Sequence, residues 1–204
     1  MTYTVRHYQY TQRLKQIKRF LFPLISLFLI YRLNELYNYL ISTDPTLHQN
    51  GSLLFYGFLI TLYATGIFAF IGFAYPTYKI IPPFYYKINH PIRLKKISKI
   101  LGVHYFRYLL MIAFWGHKKN RKKYFNGTKN GLNNFNYQTK QSEFGHFGAM
   151  VLILVLSFGL IYYKYYFLVL IITFINIVGN LYPILLQRLH RERISKLTDR
   201  IRNK

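Results

Sequence analysis

The sequence predicts an all-α integral-membrane protein, and three observations support this prediction. Of the 204 residues, 52% are hydrophobic and 20% are aromatic, which is far more apolar surface than a disordered chain carries. Charged residues amount to 16% and divide into 28 Lys and Arg against 5 Asp and Glu, whereas a soluble domain mixes both signs. Long apolar runs alternate with the basic segments. The absence of cysteine excludes disulfides, thiolate metal sites and a cysteine nucleophile.

Four segments have the length and composition of membrane spans, because about 20 mostly apolar residues of helix cross the hydrocarbon core. They are residues 20–41, 53–75, 147–163 and 165–186. The first contains Arg32 and Glu35, which share a helix face at i, i+3 and can pair, lowering their cost in lipid. Only Lys164 separates the last two, so they form a helical hairpin. We therefore expect residues 1–204 to make one integral-membrane domain with four spans.

The placement of the basic residues predicts the topology. Twenty-six of the 28 lie before residue 20, in the segment 76–146 or after residue 186, and none lies between residues 42 and 52. The positive-inside rule then places both termini and segment 76–146 in the cytoplasm. We expect a multi-pass protein of the cell membrane, with membrane lipids as partners. A nucleic-acid binder is disfavoured, because its basic residues have no reason to alternate with spans.

The central cytoplasmic segment contains a stretch that is too charged to cross a membrane and too apolar to stay in water. Between residues 92 and 115, five basic residues are set among aliphatic and aromatic ones. A helix that lies in the membrane interface accommodates both kinds of residue, because its basic groups can face the anionic headgroups. We therefore predict a basic interfacial helix here. Four prolines prevent it from continuing the second span: Pro76, Pro82, Pro83 and Pro91.

A run of cations follows this stretch, and three interpretations of it stay open. The run consists of Lys118, Lys119, Arg121, Lys122 and Lys123. It is typical of a topology signal that also anchors lipid headgroups. It also suits a phosphorylated ligand, such as the nucleotide half of an acyl-CoA, because cations bind phosphate oxygens. Nuclear targeting or RNA binding is the third interpretation.

Glu143 is the one acidic residue between Asp44 and Glu192, and it lies three residues before His146 at the start of the third span. Residues at i, i+3 share a helix face, so the carboxylate can accept the imidazole N–H and leave the other ring nitrogen free. This spacing predicts a base and the group that orients it. The alternative is structural: Glu complements a helix dipole, and His is solvated at the interface. Two ligands do not make a metal site, so we predict no metal and no cofactor.

The last span carries a polar stripe, formed by Asn176, Asn180, Gln187 and Arg191. Amides in hydrocarbon need a partner or a wet cavity. Pro183 lacks an N–H, which leaves the carbonyl of Gly179 without its α-helical donor. The alternative interpretation is that these amides only bond the neighbouring helix, at about 0.6 kcal/mol each.

Antiparallel packing of the hairpin brings the start of the third span beside the end of the fourth. Glu143 and His146 are then expected to face Gln187, Arg188 and Arg191 at one membrane surface. This juxtaposition is a stronger indication of a site than either cluster alone.

Two motifs at these positions carry a resemblance to a known family. They are Thr139-Lys140-x-x-Glu143-x-x-His146-Phe147 and, after the hairpin, Asn180-x-x-Pro183-Ile184-x-x-Gln187-Arg188-x-x-Arg191-x-Arg193. From about residue 105 onward, the chain resembles the glycosyl-4,4'-diaponeurosporenoate acyltransferase family, which attaches a fatty acyl chain to the sugar of a glycosylated carotenoid acid. The resemblance implies a membrane acyltransferase of carotenoid biosynthesis.

We therefore expect an O-acyltransferase that moves an acyl chain from a thioester donor, acyl-CoA or acyl carrier protein, to a hydroxyl of a glycolipid or glycosyl carotenoid. His146, oriented by Glu143, acts as the base. Gln187 or Arg188 polarises the thioester oxygen. Asn180 is assigned to substrate binding, because it lies too deep to reach the reacting atoms. Binding of the donor phosphates is assigned to Arg191, Arg193, Lys118, Lys119, Arg121, Lys122 and Lys123. The alternative is a non-catalytic membrane scaffold or lipid-binding subunit.

Overall fold

The computed structural model describes residues 2–115 and 128–202, and every regular element in these two ranges is helical. Prolines open two of the 3₁₀ turns, Pro45–Leu47 and Pro83–Tyr86, as expected for a residue that has no N–H to donate. The α-helices are α1 (Thr2–Ser42), α2 (Asn50–Ala74), α3 (Pro91–Ile100), α4 (Val103–Leu110), α5 (Lys129–Tyr162), α6 (Tyr166–Asn176) and α7 (Tyr182–Arg202).

Four helical stretches in the described ranges are long and apolar enough to cross a membrane, which confirms the four predicted spans. They are Gln16–Ser42, Asn50–Ala74, Asn130–Tyr162 and Tyr166–Arg202. The third and fourth are longer than predicted, because helix continues past the apolar residues into polar sequence at one end of each. The turn between them contains Lys164 in the left-handed conformation, at φ 62°. The position of the termini relative to the membrane stays a prediction.

The basic helix predicted within residues 92–115 is two helices in the structure, and its position in the membrane interface stays a prediction. Gly102 has φ 69°, a left-handed conformation that a residue without a Cβ adopts freely, and it separates α3 from α4. After α4 the chain makes a π-helical turn at Met111–Trp115. The segment is therefore two short helices joined by a glycine.

The chain forms two compact units. The first unit comprises residues 1–77 and 148–176. In its described part, α1, α2, α6 and the end of α5 surround an apolar core formed by Leu33, Leu40, Leu53, Ile60, Ala64, Ile67, Ile153, Leu160, Tyr165, Leu168, Ile171 and Ile172. Its few buried polar groups bond to backbone carbonyls: Ser26 Oγ donates to Ile67 at 3.0 Å, and Asn176 Nδ2 donates to Met150 at 3.3 Å. Large apolar side chains cover its outside, as expected for a bundle in lipid.

Gly148, on α5, marks a close approach between helices in this unit. A Cβ built there would lie 2.3 Å from the ring of Phe68 on α2. We expect Gly148→Ala to destabilise the protein by about 1–3 kcal/mol, because the ring must leave its packed position. Gly51→Ala is the matched control, since a Cβ at Gly51 meets nothing within 4 Å. Thermal unfolding of both variants in detergent measures the difference, and equal stability would contradict the close packing.

The second unit comprises residues 78–147 and 177–204. Here α3 and α4 pack on α7. The π-helical turn Ile177–Leu181 leads into α7. Its apolar interior is formed by Tyr86, Val103, Leu132, Phe144, Ile184, Leu186 and Ile194. The candidate site residues that the structure describes lie in this unit. The division into one or more folding domains stays a prediction.

Candidate functional site

The carboxylate of Glu143, on α5, is fully buried in the second unit. It accepts a hydrogen bond from Arg188 Nε at 2.8 Å and another from Arg191 Nη2. The two arginines are three residues apart on α7, so they share a helix face. Charge-assisted bonds of this kind are roughly twice as strong as neutral ones. The three side chains form the arginine clamp, a buried carboxylate held between two guanidinium groups.

Two tyrosines cover the clamp. The guanidinium of Arg188 lies 4.8 Å from the ring centroid of Tyr85, and that of Arg191 lies 5.5 Å from the ring centroid of Tyr86. Arg191 Nε also donates to the backbone carbonyl of Tyr86 at 3.3 Å. Burial, with a further contribution from the Glu143 carboxylate, raises the pKa of both tyrosines. Their phenols therefore stay neutral, and their rings shield the clamp by cation–π contact.

The clamp carries an excess of positive charge, because two guanidinium groups face one carboxylate. In the described part of the chain, Nη1 of Arg191 is buried and has no hydrogen-bond partner. Arg191 is 5% exposed, whereas Arg188 is 30% exposed. A fixed positive charge in a water-poor environment stabilises negative charge that develops nearby.

His146 lies one turn after Glu143 on α5 and is partly exposed. Its Nδ1 is 3.0 Å from Oδ1 of Asn180, in the π-helical turn before α7, and the backbone of Gly179 also bonds to the ring. Pro183 explains why this carbonyl is free to do so, since it has no N–H to offer Gly179. When the Asn180 oxygen accepts a hydrogen bond from Nδ1, that nitrogen carries the proton and Nε2 is the unprotonated nitrogen of the neutral ring.

The predicted hydrogen bond between Glu143 and His146 is wrong. The carboxylate is taken up by Arg188 and Arg191, and the imidazole is held by Asn180. Two guanidinium groups compete better for a buried carboxylate than a neutral imidazole does, because their hydrogen bonds are charge-assisted. Glu143 is thus a partner of the arginines, and Asn180 is the group that orients the histidine.

The predicted juxtaposition of α5 and α7 is confirmed. Besides the clamp, Gln187 Nε2 donates to Ser142 Oγ at 3.2 Å. Arg193, by contrast, is exposed and faces α3 and α4, away from the clamp. The cations from Lys118 to Lys123 lie outside the described residues. No group of three or more His, Cys, Asp or Glu side chains suited to a metal ion occurs in the described ranges.

Sequence reasoning missed Tyr85 and Tyr86. We interpreted the prolines before them only as the end of a helix. Two prolines restrict the backbone, so the tyrosine pair that follows them is held in a fixed position. The 3₁₀ turn that starts at Pro83 points both rings at α7. The aromatic pair itself was the available signal.

A model of the family described as glycosyl-4,4'-diaponeurosporenoate acyltransferase matches residues 82–200, which is more than half of the chain. The chain belongs to this family. The match to the glycosyl-4,4'-diaponeurosporenoate acyltransferases spans the clamp, both tyrosines and the His146–Asn180 pair, while residues 2–81 lie outside it. Membership in this family indicates an acyltransferase of carotenoid biosynthesis. No curated protein matches the chain significantly, and no solved structure does either.

Proposed function

We propose that this protein transfers a fatty acyl chain from a thioester donor to a hydroxyl of a glycosyl carotenoid or glycolipid at the cytoplasmic face of the cell membrane. The observation that carries the proposal is the half-buried His146, whose Nδ1 lies 3.0 Å from Asn180 Oδ1, inside the region that matches the acyltransferase family. The basic residues concentrated in segment 76–146 and at both ends of the chain support the cytoplasmic face.

In the first step, Nε2 of His146 takes the proton of the acceptor hydroxyl. The hydroxyl oxygen bonds to the carbonyl carbon of the thioester, and the carbonyl oxygen becomes an oxyanion. Asn180 fixes the ring so that Nε2 faces the hydroxyl, and its oxygen stabilises the imidazolium that forms. General base catalysis of this kind contributes typically about 10²–10⁴-fold.

The oxyanion is stabilised by Arg188, the more exposed guanidinium of the clamp. Gln187 is the weaker candidate for this role, because its amide is neutral and already donates to Ser142. The intermediate then collapses: the carbon–sulfur bond breaks, and the leaving thiolate takes the proton from His146. The products are an ester of the acceptor and the free thiol of the donor.

Binding of the donor phosphates is assigned to the cations from Lys118 to Lys123. Arg191 is excluded from this role because Glu143 and Tyr86 enclose it. Arg193 is excluded because it lies on a different face of α7. Acyl-CoA and an acyl carrier protein both carry a phosphopantetheine thioester, so either donor can offer a phosphate to these cations.

Mass spectrometry of lipids and pigments tests the activity directly. Cells with the gene are expected to contain an acylated glycosyl carotenoid or glycolipid that cells without it lack, with the unacylated precursor accumulating instead. Identical acylated species in both strains would reject acyl transfer and favour a scaffold or lipid-binding subunit.

Asn180 is proposed as the residue that positions His146. We expect Asn180→Ala to lower kcat about tenfold, the value of roughly one hydrogen bond. Asn180→Asp keeps an oxygen at Nδ1 and is expected to retain more activity than Asn180→Ala. The measurement is the pH–rate profile of each variant alongside kcat. A role in helix packing alone would leave the pH profile unchanged in both variants.

A further inference from the structure

A cleft separates α7 from the helix pair α3–α4 in the second unit. Its volume is about 400 Å³, within the range of small-molecule sites. It is lined by Lys95, Ser98, Lys99, Val103, His104, Arg107, Leu186, Leu189, Glu192 and Arg193.

The lining is strongly basic. Its one carboxylate, Glu192, already pairs with Lys95 at 3.1 Å and with Lys196 at 2.7 Å. Three cations of the cleft therefore remain without an acidic partner among the residues that the structure describes: Lys99, Arg107 and Arg193. A concave surface with several unpaired cations attracts a phosphate group.

Ser98 provides a second, independent indication of a ligand. It is 5% exposed, and its hydroxyl has no hydrogen-bond partner in the described part of the chain. A serine in a helix usually bonds to the carbonyl four residues before it, and a buried hydroxyl left unpaired is costly. The Ser98 hydroxyl is thus a free donor in the wall of a basic cleft.

The outer surface of the same two helices carries large apolar side chains. Ile100 is 73% exposed and Tyr105 is 69% exposed, and Ile97 and Leu101 are also exposed. Short helices that combine basic groups with such an apolar surface lie in a membrane interface. A ligand that has both an anionic head and apolar chains complements both surfaces, whereas a free nucleotide complements only the cleft.

The cleft is distinct from the arginine clamp. Leu189 lies two residues before Arg191, and Arg193 lies two residues after it. A spacing of two residues on an α-helix corresponds to a rotation of about 200° around the helix axis. Leu189 and Arg193 therefore face away from Glu143 and His146. The ligand of the cleft is not positioned to take part in the reaction proposed at His146.

We propose that this cleft binds the headgroup of an anionic phospholipid. The phosphate accepts a hydrogen bond from Ser98 and is neutralised by Lys99, Arg107 and Arg193. The acyl chains extend along the apolar surface that contains Ile100 and Tyr105. Basic pockets of this kind beside membrane helices bind anionic lipid headgroups.

Binding of short-chain phospholipids to the full-length protein in detergent tests the proposal. The probes are phosphatidylglycerol, phosphatidylcholine of the same chain length, and coenzyme A. Phosphatidylglycerol is expected to bind more tightly than both other probes. The double variant Lys99→Gln/Arg107→Gln is expected to bind phosphatidylglycerol about thirtyfold more weakly. This factor is the typical contribution of two basic residues near an anionic lipid.

Arg93→Gln/Lys96→Gln is the matched control, because it removes two exposed cations of α3 that do not line the cleft. It is expected to change the affinity less than twofold. Ser98→Ala keeps every charge, is tolerated in a helix, and is expected to weaken binding about tenfold through the lost hydrogen bond to a charged group. Helical content and elution volume show whether each variant is folded.

Equal affinity for phosphatidylglycerol and phosphatidylcholine would overturn the proposal, as would equal losses in the cleft variant and its control. Preferential binding of coenzyme A would also overturn it and would assign the cleft to the acyl donor. Because the probes report binding and not turnover, the result is independent of the reaction proposed at His146.

Discussion

Replacing His146 with alanine is expected to lower the rate of acyl transfer by about 10²–10⁴-fold, the usual contribution of a general base. The side chain bonds to Asn180 and to the backbone of Gly179, so its loss removes the base and two hydrogen bonds. The measurement is the initial rate of ester formation from a thioester donor, in membranes that contain equal amounts of each variant.

His90→Ala serves as the control for this experiment. His90 is exposed at the start of α3, and its side chain makes no capping hydrogen bond there. It should retain full activity. A His146→Ala variant that is inserted normally and keeps the wild-type rate would show that the imidazole is not the base, and the proposed mechanism would be abandoned.

Glu143→Gln is expected to lower the free energy of unfolding by about 3–5 kcal/mol, because removing one partner of a buried ion pair leaves the other uncompensated. Here two guanidinium groups lose their shared carboxylate, and Arg191 has almost no access to solvent. Denaturant unfolding of the purified protein in detergent micelles measures the effect.

Asp199→Asn makes the same chemical change at an exposed site. Its carboxylate is 3.7 Å from Arg202, and both side chains are largely exposed. Surface pairs contribute little, so this variant should unfold like the wild type. If Glu143→Gln were equally stable, the clamp would not hold α5 and α7 together, and Glu143 would be free for a direct part in the reaction.

Much of the fold was predictable because lipid imposes strict rules on sequence. The four spans follow from the length of the apolar runs, and the hairpin follows from a single Lys164 between two of them. The approach of Glu143 to Arg188 and Arg191 follows from antiparallel packing of that hairpin. These predictions depend on only two quantities, the length of apolar sequence and the direction of the chain.

The details of the site were less predictable because several partners compete for each polar group. Spacing along α5 places His146 near Glu143, but it does not reveal that α7 offers the carboxylate two cations. Asn180 was assigned to substrate binding, too deep to reach the reacting atoms, and the structure places its Oδ1 3.0 Å from His146 Nδ1. The split at Gly102 was missed for a related reason: one glycine inside a long amphipathic pattern is compatible with both a continuous helix and a break.

The arginine clamp has a consequence for biogenesis. During translation Glu143 leaves the ribosome 45 residues before Arg188, so the carboxylate is made well before its counter-charges. An ionised carboxylate without partners is costly in an apolar environment, by several kcal/mol. We therefore expect Glu143 to stay hydrated until α7 is synthesised, because the clamp cannot form before both arginines are present.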